Sequence, residues 1–175
     1  ASDFYKGKDF TNYFDDTNST FLSCNFLNCL SRAIYSKKSF DRVRVYSCLF
    51  SNCYDSREGN ELERAGGAVY CTNTYSLIAS SRFVYCHGDG YGQAIYFKTK
   101  ESDMTNTVFL QCHNETRNFD SSVYVHSEKA IVQNINITQA VSRGNAGFSI
   151  QYQDKDSCFK YYHAEDLSGQ AVLTN

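Results

Sequence analysis

Histidine and carboxylate side chains stand close together in three short segments, and this combination can bind a metal ion or transfer protons. The segments contain His87 with Asp89, His113 with Glu115, and His163 with Glu165 and Asp166. The three histidines do not share one position of any repeated motif, so solvated turns explain them better than a site. We therefore predict no catalytic residue, no cofactor and no metal ligand.

Eight cysteines and three N-x-[ST] triplets bear on the cellular compartment. An even number of cysteines in a secreted protein suggests disulfides, and the triplets at Asn18, Asn114 and Asn136 are candidate glycosylation sites. Both features favour an extracellular or cell-surface location. Reduced cysteines and unglycosylated triplets would instead favour an intracellular structural protein.

The segment that begins at His87, HGDGYGQAIYF, carries three glycines in five residues. A dinucleotide-binding loop has the pattern G-x-G-x-x-G between a strand and a helix. Here Gly88, Gly90 and Gly92 are spaced by two, and the following QAIYF has the composition of a strand. The segment is therefore not a phosphate-binding loop.

The composition favours a single all-β domain over residues 1–175. The chain has 14 tyrosines and 13 phenylalanines but no proline or tryptophan, and aromatic residues favour strands. The net charge is -2 with scattered basic residues, so nucleic acid is not an expected partner. No apolar run approaches the ~18 residues of a membrane span, so we expect no membrane insertion by this segment.

Two motifs alternate along the chain. The first is F-x-x-C or a relative of it, and its last residue is Cys29, Cys53, Cys86, Cys112, Ala140 or Ala164. The second resembles G-x-A-[IV]-Y and ends at Tyr35, Tyr70, Tyr96, Tyr124, Phe148 and Leu173. The spacing from the last residue of the second motif to the aromatic position of the next F-x-x-C motif is nearly constant. It is 13 residues from Tyr70 to Phe83, Tyr96 to Phe109, Tyr124 to Ile137 and Phe148 to Tyr161, and 15 residues from Tyr35 to Phe50. The segment from the cysteine position to the next tyrosine varies in length.

Repeated units of this size, without helical periodicity, are typical of a β-solenoid. Short β segments separated by Asn, Ser, Thr, Asp and Gly fit coils whose equivalent strands stack about 4.8 Å apart. Parallel crossovers are right-handed in nearly all proteins. We predict a right-handed parallel β-helix (solenoid) of about six coils, with a pectin lyase-like architecture.

The segment GGAVY at 66–70, together with F-x-x-C, resembles the GGA[IV] and F-x-x-N repeats of polymorphic membrane proteins and related microbial surface proteins, including protozoan ones. The resemblance covers roughly residues 20–173 and places cysteine where that family usually has asparagine. It implies a surface-displayed, non-enzymatic β-helix, such as an adhesin passenger, whose partner is a protein or glycan on a cell surface.

Stacked coils would place Cys29, Cys53, Cys86 and Cys112 in one column and Cys24 under Cys48. We favour a ladder of small buried side chains. Disulfides are the second interpretation, because parallel Cβ vectors would have to bend towards each other. Zinc is the third, because a linear column does not make a tetrahedral site.

Aromatic residues form two more columns. Phe26, Phe50, Phe83 and Phe109 are expected in the core, whereas Tyr35, Tyr70, Tyr96 and Tyr124 follow β-branched residues and should face outside. An exposed tyrosine ladder could bind sugars or a partner protein, or it could shield the sheet as a structural stack.

The longest variable segment is the loop from Tyr54 to Ala65, YDSREGNELERA. Insertions in repeat proteins lie on one face, which is often the binding face. The candidate binding residues of this loop are Asp55, Arg57, Glu58, Glu61, Glu63 and Arg64. A tolerated solvated insertion is an equally good interpretation.

We predict a non-enzymatic surface or secreted β-helix that acts in adhesion, binding or scaffolding. The alternatives are a polysaccharide lyase or glycoside hydrolase and an intracellular structural filament component. Hydrolysis requires two carboxylates roughly 5 to 9.5 Å apart. The closest pairs in sequence, Asp15 with Asp16 and Asp154 with Asp156, lie near the ends of the chain.

The ends of the chain suggest contact with neighbouring solenoid segments. Solenoids need polar caps, and the C-terminal SGQAVLTN stops within a motif, so we expect a segment of a longer solenoid or end-on docking. Residues 1–20 are a possible N-terminal cap, with Tyr13 standing 13 residues before Phe26.

Overall fold

The structure is a computed structural model that describes residues 3–12, 14–15, 18–55, 60, 64–112, 121–138, 148–153, 156–165 and 172–174. These ranges contain strands and turns but no helix, and so none that is long and apolar enough to cross a membrane. The strands are β1 (Asp3–Lys6), β2 (Asp9–Phe10), β3 (Phe14–Asp15), β4 (Ser19–Leu22), β5 (Asn25–Leu27), β6 (Ile34–Ser36), β7 (Arg42–Tyr46), β8 (Leu49–Ser51), β9 (Val69–Cys71), β10 (Tyr75–Ala79), β11 (Arg82–Val84), β12 (Ile95–Leu110), β13 (Val123–Thr138), β14 (Phe148–Tyr152), β15 (Cys158–Glu165) and β16 (Val172–Thr174).

The strands pair in parallel and form one curled sheet that contains three stacks. The first stack runs β1, β4, β7, β10 and then the middle of β12 and β13. The second runs β2, β5, β8, β11 and the last part of β12 and β13. The third runs β3, β6, β9, the first part of β12 and β13, then β14 and β16. The all-β, parallel character predicted from the sequence is confirmed.

Phenylalanine rings fill the centre of the curled sheet. Phe10, Phe26, Phe50, Phe83 and Phe109 follow one another in the register of the second stack. The ring centroids of Phe26 and Phe50 are 4.6 Å apart, and those of Phe50 and Phe83 are 4.5 Å apart, with nearly parallel rings. The predicted core column is confirmed, and Phe10 extends it by one unit. Offset aromatic stacks of this kind contribute beyond their burial.

The turn between the first and second stacks is the same in five units. Its central residue has φ between 50° and 54° in Ser23, Ser47, Ser80, Asn106 and Asn134. In four of these units the next side chain donates to the carbonyl two residues back, as Cys48 Sγ does to Tyr46 O at 3.2 Å and Ser81 Oγ to Ala79 O at 2.9 Å. The fifth unit has Ile135 at this position. This local hydrogen bond satisfies a backbone carbonyl at the turn.

The cysteine column lies where the second stack ends. Cys29, Cys53, Cys86 and Cys112 are buried, and Cys53 and Cys86 hydrogen-bond to Phe26 O and Phe50 O of the preceding unit. All eight cysteines are free thiols. The predicted buried column is confirmed, and burial raises the pKa of the Cys86 thiol well above its ordinary value.

The predicted register is wrong at both ends of the chain. Val123 pairs with Phe148, so Ser149 rather than Phe148 continues the tyrosine column. Ala164 pairs with Ile137, which places it in the phenylalanine column and not the cysteine column. The reason is that the spacing from Ser149 to Ala164 is 15 residues, as it is from Tyr35 to Phe50.

The first unit departs in the opposite sense, because the spacing from Asp15 to Phe26 is 11 residues. Asp15 pairs with Tyr35, so the aspartate occupies the position expected of Tyr13. Tyr13 itself, like Ala140, lies outside the described residues.

Candidate functional site

The tyrosine column faces away from the phenylalanine core, as predicted. Ile34, Val69, Ile95 and Val123 belong to the main core cluster, whereas Tyr70 and Tyr96 form a separate cluster with Ala65. The prediction that the tyrosines are exposed is wrong for the two central ones, because Tyr70 is 7% and Tyr96 is 3% exposed. Tyr35 and Tyr124 are partly buried. Burial raises the pKa of the Tyr96 phenol, and the neighbouring phenol of Tyr70 adds to this effect.

Arg32 covers the tyrosine column at one end. Its guanidinium carbon lies 4.4 Å from the ring centroid of Tyr70 and 4.9 Å from that of Tyr35, which are cation–π distances. The same guanidinium forms an ion pair with Asp55, with Nη2 and Oδ2 2.8 Å apart and both side chains almost fully buried. Its Nε donates to Ala65 O at 2.9 Å. Arg32 therefore binds a carboxylate, a carbonyl and two aromatic rings at once.

These contacts join the two candidate sites predicted from the sequence. Asp55 stands at the start of the charged loop and Ala65 at its end, and Arg32 holds both against the tyrosine column. Asp55 is thus a buried anchor, and the prediction that it belongs to an exposed binding surface is wrong. Arg57, Glu58, Glu61 and Glu63 lie outside the described residues. Arg64, the remaining loop candidate, is partly exposed and lies 3.5 Å from Asp89.

Backbone hydrogen bonds join both ends of the loop to the segment of residues 87–92 in the next unit. Asp55 N donates to His87 O at 3.3 Å, and Gly66 N donates to Gly92 O at 2.9 Å. The Tyr54 and His87 rings stack 5.3 Å apart. Gly66 and Gly92 have φ of 66° and 60°, in the left-handed region that favours glycine.

The histidine segments do not gather into a metal site in the described part of the chain. There, no group of three or more His, Cys, Asp or Glu side chains is arranged to hold a metal ion. Asp89 pairs with Arg64, and His87 stacks on Tyr54. His113 and Glu115 lie outside the described residues.

A pair of carboxylates that the sequence interpretation missed lies on the outer side of the first stack. Glu101 and Asp103 are accessible while Ser102 between them is buried, so both carboxylates leave the same face of β12. Residues two apart along a strand are separated by about 6.6 Å. The Tyr75 hydroxyl of the neighbouring strand donates to Asp103 Oδ2 at 2.7 Å, and Arg44 lies over the Tyr75 ring. The signal for this pair in the sequence was the alternation within KESDM. It assigns Glu101 and Asp103 to one face only when the strand is known.

The candidate glycosylation sites are placed unevenly. Asn18 and Asn136 are partly exposed, and Asn136 lies within β13, where Thr138 Oγ1 donates to its Oδ1 at 3.1 Å. Asn114 lies outside the described residues.

Arg32 is the other residue that the sequence interpretation missed. It occupies the position taken by Gly67 and Gln93 in the following units, which is evident from the successive backbone contacts of Ala33, Ala68 and Ala94. A basic residue at a position that is otherwise small or uncharged was the available signal.

Comparison with known proteins gives no relative. No family model, no curated protein and no solved structure matches this chain.

Proposed function

We propose that the chain is a right-handed parallel β-helix of about six coils that acts as a non-enzymatic binding scaffold and presents the loop of residues 56–63 to a partner. The three stacks of parallel strands support the solenoid part of this proposal. The resemblance to polymorphic membrane proteins and the accessible asparagines of two sequons support a cell-surface or extracellular role, whereas the eight free thiols favour the intracellular structural alternative. The partner is then a protein or a glycan on a cell surface.

The observation that carries the proposal is the buried ion pair between Arg32 and Asp55. Taking two charges out of water costs several kcal/mol per ion and is offset only when the geometry and hydrogen bonding are good. A merely tolerated insertion does not need such an anchor, because surface loops lengthen at small thermodynamic cost. A loop that presents a defined binding surface does need it, because fixed ends reduce the entropy lost on binding.

Replacing residues 56–63 by a Gly-Ser linker of equal length tests the proposal. Asp55 and Arg64 are retained, so the anchor stays and we expect the melting temperature to change by less than about 2 °C. Binding to an array of mammalian and microbial glycans and to intact host cells should be lost. The matched control replaces the exposed residues Lys37, Lys38, Ser39 and Phe40 by the same type of linker and should keep binding. Equal binding by wild type and by the loop variant would reject the loop as the binding element.

A glycoside hydrolase is the second candidate, because Glu101 and Asp103 share one accessible face. The spacing of about 6.6 Å between residues two apart lies within the range of inverting hydrolases, although it refers to backbone and not to carboxyl positions. Incubation with polygalacturonate and neutral galactan, followed by assays of reducing ends and of unsaturated products, separates hydrolysis, lyase action and inactivity. Activity that Glu101→Gln or Asp103→Asn abolishes would replace the scaffold proposal. Inactivity on all substrates leaves binding as the better account.

A further inference from the structure

A polar groove lies at the turn between the third and first stacks. It has a volume of about 250 Å³ and is lined by Asn73, Lys98, Thr99, Lys100, His126, Glu128 and Gln153. This turn is distinct from the one that carries the loop of residues 56–63, so the groove is a separate site from the proposed binding loop. Ligand pockets for drug-sized molecules begin at roughly 300 Å³, so this groove suits one small polar unit.

The floor of the groove is fixed by buried hydrogen bonds. Thr99 Oγ1 lies 2.7 Å from Ser102 Oγ and 3.1 Å from Ser127 Oγ. Asn73 donates from Nδ2 to Ser36 Oγ at 3.2 Å and accepts from Ser76 Oγ at 3.0 Å. Fully hydrogen-bonded polar networks of this kind are rigid, so the amide and hydroxyl groups of the floor are held before a ligand arrives.

The walls carry two lysines, and the register of the neighbouring strand places Glu128 opposite Lys100. Lys98 and Lys100 are exposed, and neither forms an ion pair with a carboxylate among the described residues. His126 pairs in register with Lys98 on the neighbouring strand, and its imidazole can donate an N–H. Glu128, also exposed, is the one carboxylate of the lining.

We propose that this groove binds a single acidic sugar unit of a glycan, with its carboxylate or sulfate between Lys98 and Lys100. Lysine binds such anions as a point charge through charge-assisted hydrogen bonds. The sugar hydroxyls would be recognised by Asn73, Gln153 and Glu128, since amides donate and accept and the carboxylate accepts. A neutral sugar would make only the contacts with Asn73, Gln153 and Glu128, so acidic sugars should bind more tightly.

Titration of the full chain with three tetrasaccharides, followed by NMR chemical shifts, tests the inference. The probes are tetragalacturonate, a sulfated galactotetraose and neutral galactotetraose. The double variant K98Q/K100Q should lower the affinity for the acidic probes by about tenfold, which corresponds to ~0.7 kcal/mol for each exposed ammonium group. The control K6Q/K8Q removes the same charge at two exposed lysines in another unit and should change affinity by less than about twofold.

The two acidic probes distinguish a carboxylate from a sulfate, because the probe that binds more tightly identifies the anion that the groove prefers. Three results would overturn the inference: binding of the neutral probe as tightly as the acidic ones, equal weakening by both double variants, or no binding of either acidic probe to the wild type. Replacing residues 56–63 by the linker should leave binding of the acidic probes unchanged. The test of the groove is therefore independent of the scaffold proposal.

Discussion

Two turns of the same solenoid-like sheet differ in how they are held. The regular turn, between the first and second stacks, repeats one positive-φ residue followed by a short thiol or hydroxyl that bonds two residues back. The variable turn, between the second and third stacks, runs from Cys29 to Ala33 in one unit and from Cys53 to Ala68 in the next. The variable turn begins with the same device, since Cys53 Sγ donates to Ser51 O at 3.6 Å and Cys86 Sγ to Val84 O at 3.5 Å. Beyond that device, the variable turn also depends on contacts that occur once, such as Arg32 with Asp55. Removing one of these single contacts should therefore lower the free energy of unfolding more than removing a contact of the regular turn.

The largest effect is expected from Asp55→Ala. Removing one member of a buried ion pair leaves an uncompensated charge on Arg32, so the free energy of unfolding should fall by about 3–5 kcal/mol. Asp89→Ala removes the carboxylate of a partly exposed pair and should cost no more than about 1 kcal/mol. Urea unfolding monitored by circular dichroism measures both. Similar losses for the two variants would contradict the contrast, and the double variant Arg32→Met/Asp55→Leu should recover much of the stability.

Gly92→Ala should be the next most severe change. A Cβ at Gly92 would lie 2.0 Å from Ile95 O, and the residue has φ of 60°, so both a backbone clash and strain arise. We expect a loss of roughly 2–4 kcal/mol. Gly7→Ala provides the control, because Gly7 has φ of 58° but no atom within 4 Å of its Cβ position. It should lose only about 1 kcal/mol, and equal losses in thermal unfolding would show that strain alone acts at Gly92.

The thiols of the regular turn predict a smaller, pH-dependent effect. Burial raises the pKa of Cys48 to about 11 from its ordinary 9.0. The neutral thiol is thus favoured in the folded state, so its contribution to stability is complete below pH 9 and is lost as the pH rises towards 11. The melting temperature of the wild type should fall over this range, and that of Cys48→Ala should fall less steeply. An identical slope in both proteins would contradict the assignment.

Labelling with iodoacetamide tests the redox state of the same thiols. Without reductant, native protein should react slowly and chiefly at the partly exposed Cys158, whereas denatured protein should label at most of the eight cysteines. Mass spectrometry that finds four disulfides would overturn the expectation of a reduced ladder.

The smallest effect is expected from Ser80→Gly in the regular turn. Ser80 is exposed with φ of 52°, and glycine relieves the cost of this conformation, so stability should rise by about 0.5 kcal/mol. Ser51→Gly changes the same residue type within β8 and should lower stability by roughly 0.5–1 kcal/mol. A loss at both positions would mean that the serine side chain matters to the turn.

The sequence predicted those features that repeat in register. The phenylalanine and cysteine columns followed from the constant spacing of 13 residues between Tyr70 and Phe83 and between Tyr96 and Phe109. The prediction failed at the last units because the spacing from Ser149 to Ala164 is longer by two residues, and no motif marks that change.

The tertiary structure decided which outward-facing residues are exposed. Alternation along a strand assigns a side chain to the inner or the outer side of a sheet, and this placed the tyrosines correctly. Burial of Tyr70 depends instead on Arg32, which comes from another unit and lies over its ring, and Tyr96 is stacked between Tyr70 and Tyr124. The sequence by itself therefore determined the strands and their columns, because these depend on local period. Only the fold decided the buried ion pair, the paired carboxylates of β12 and the cationic groove, because each combines residues from units that are distant in the chain or orientations fixed by neighbouring strands.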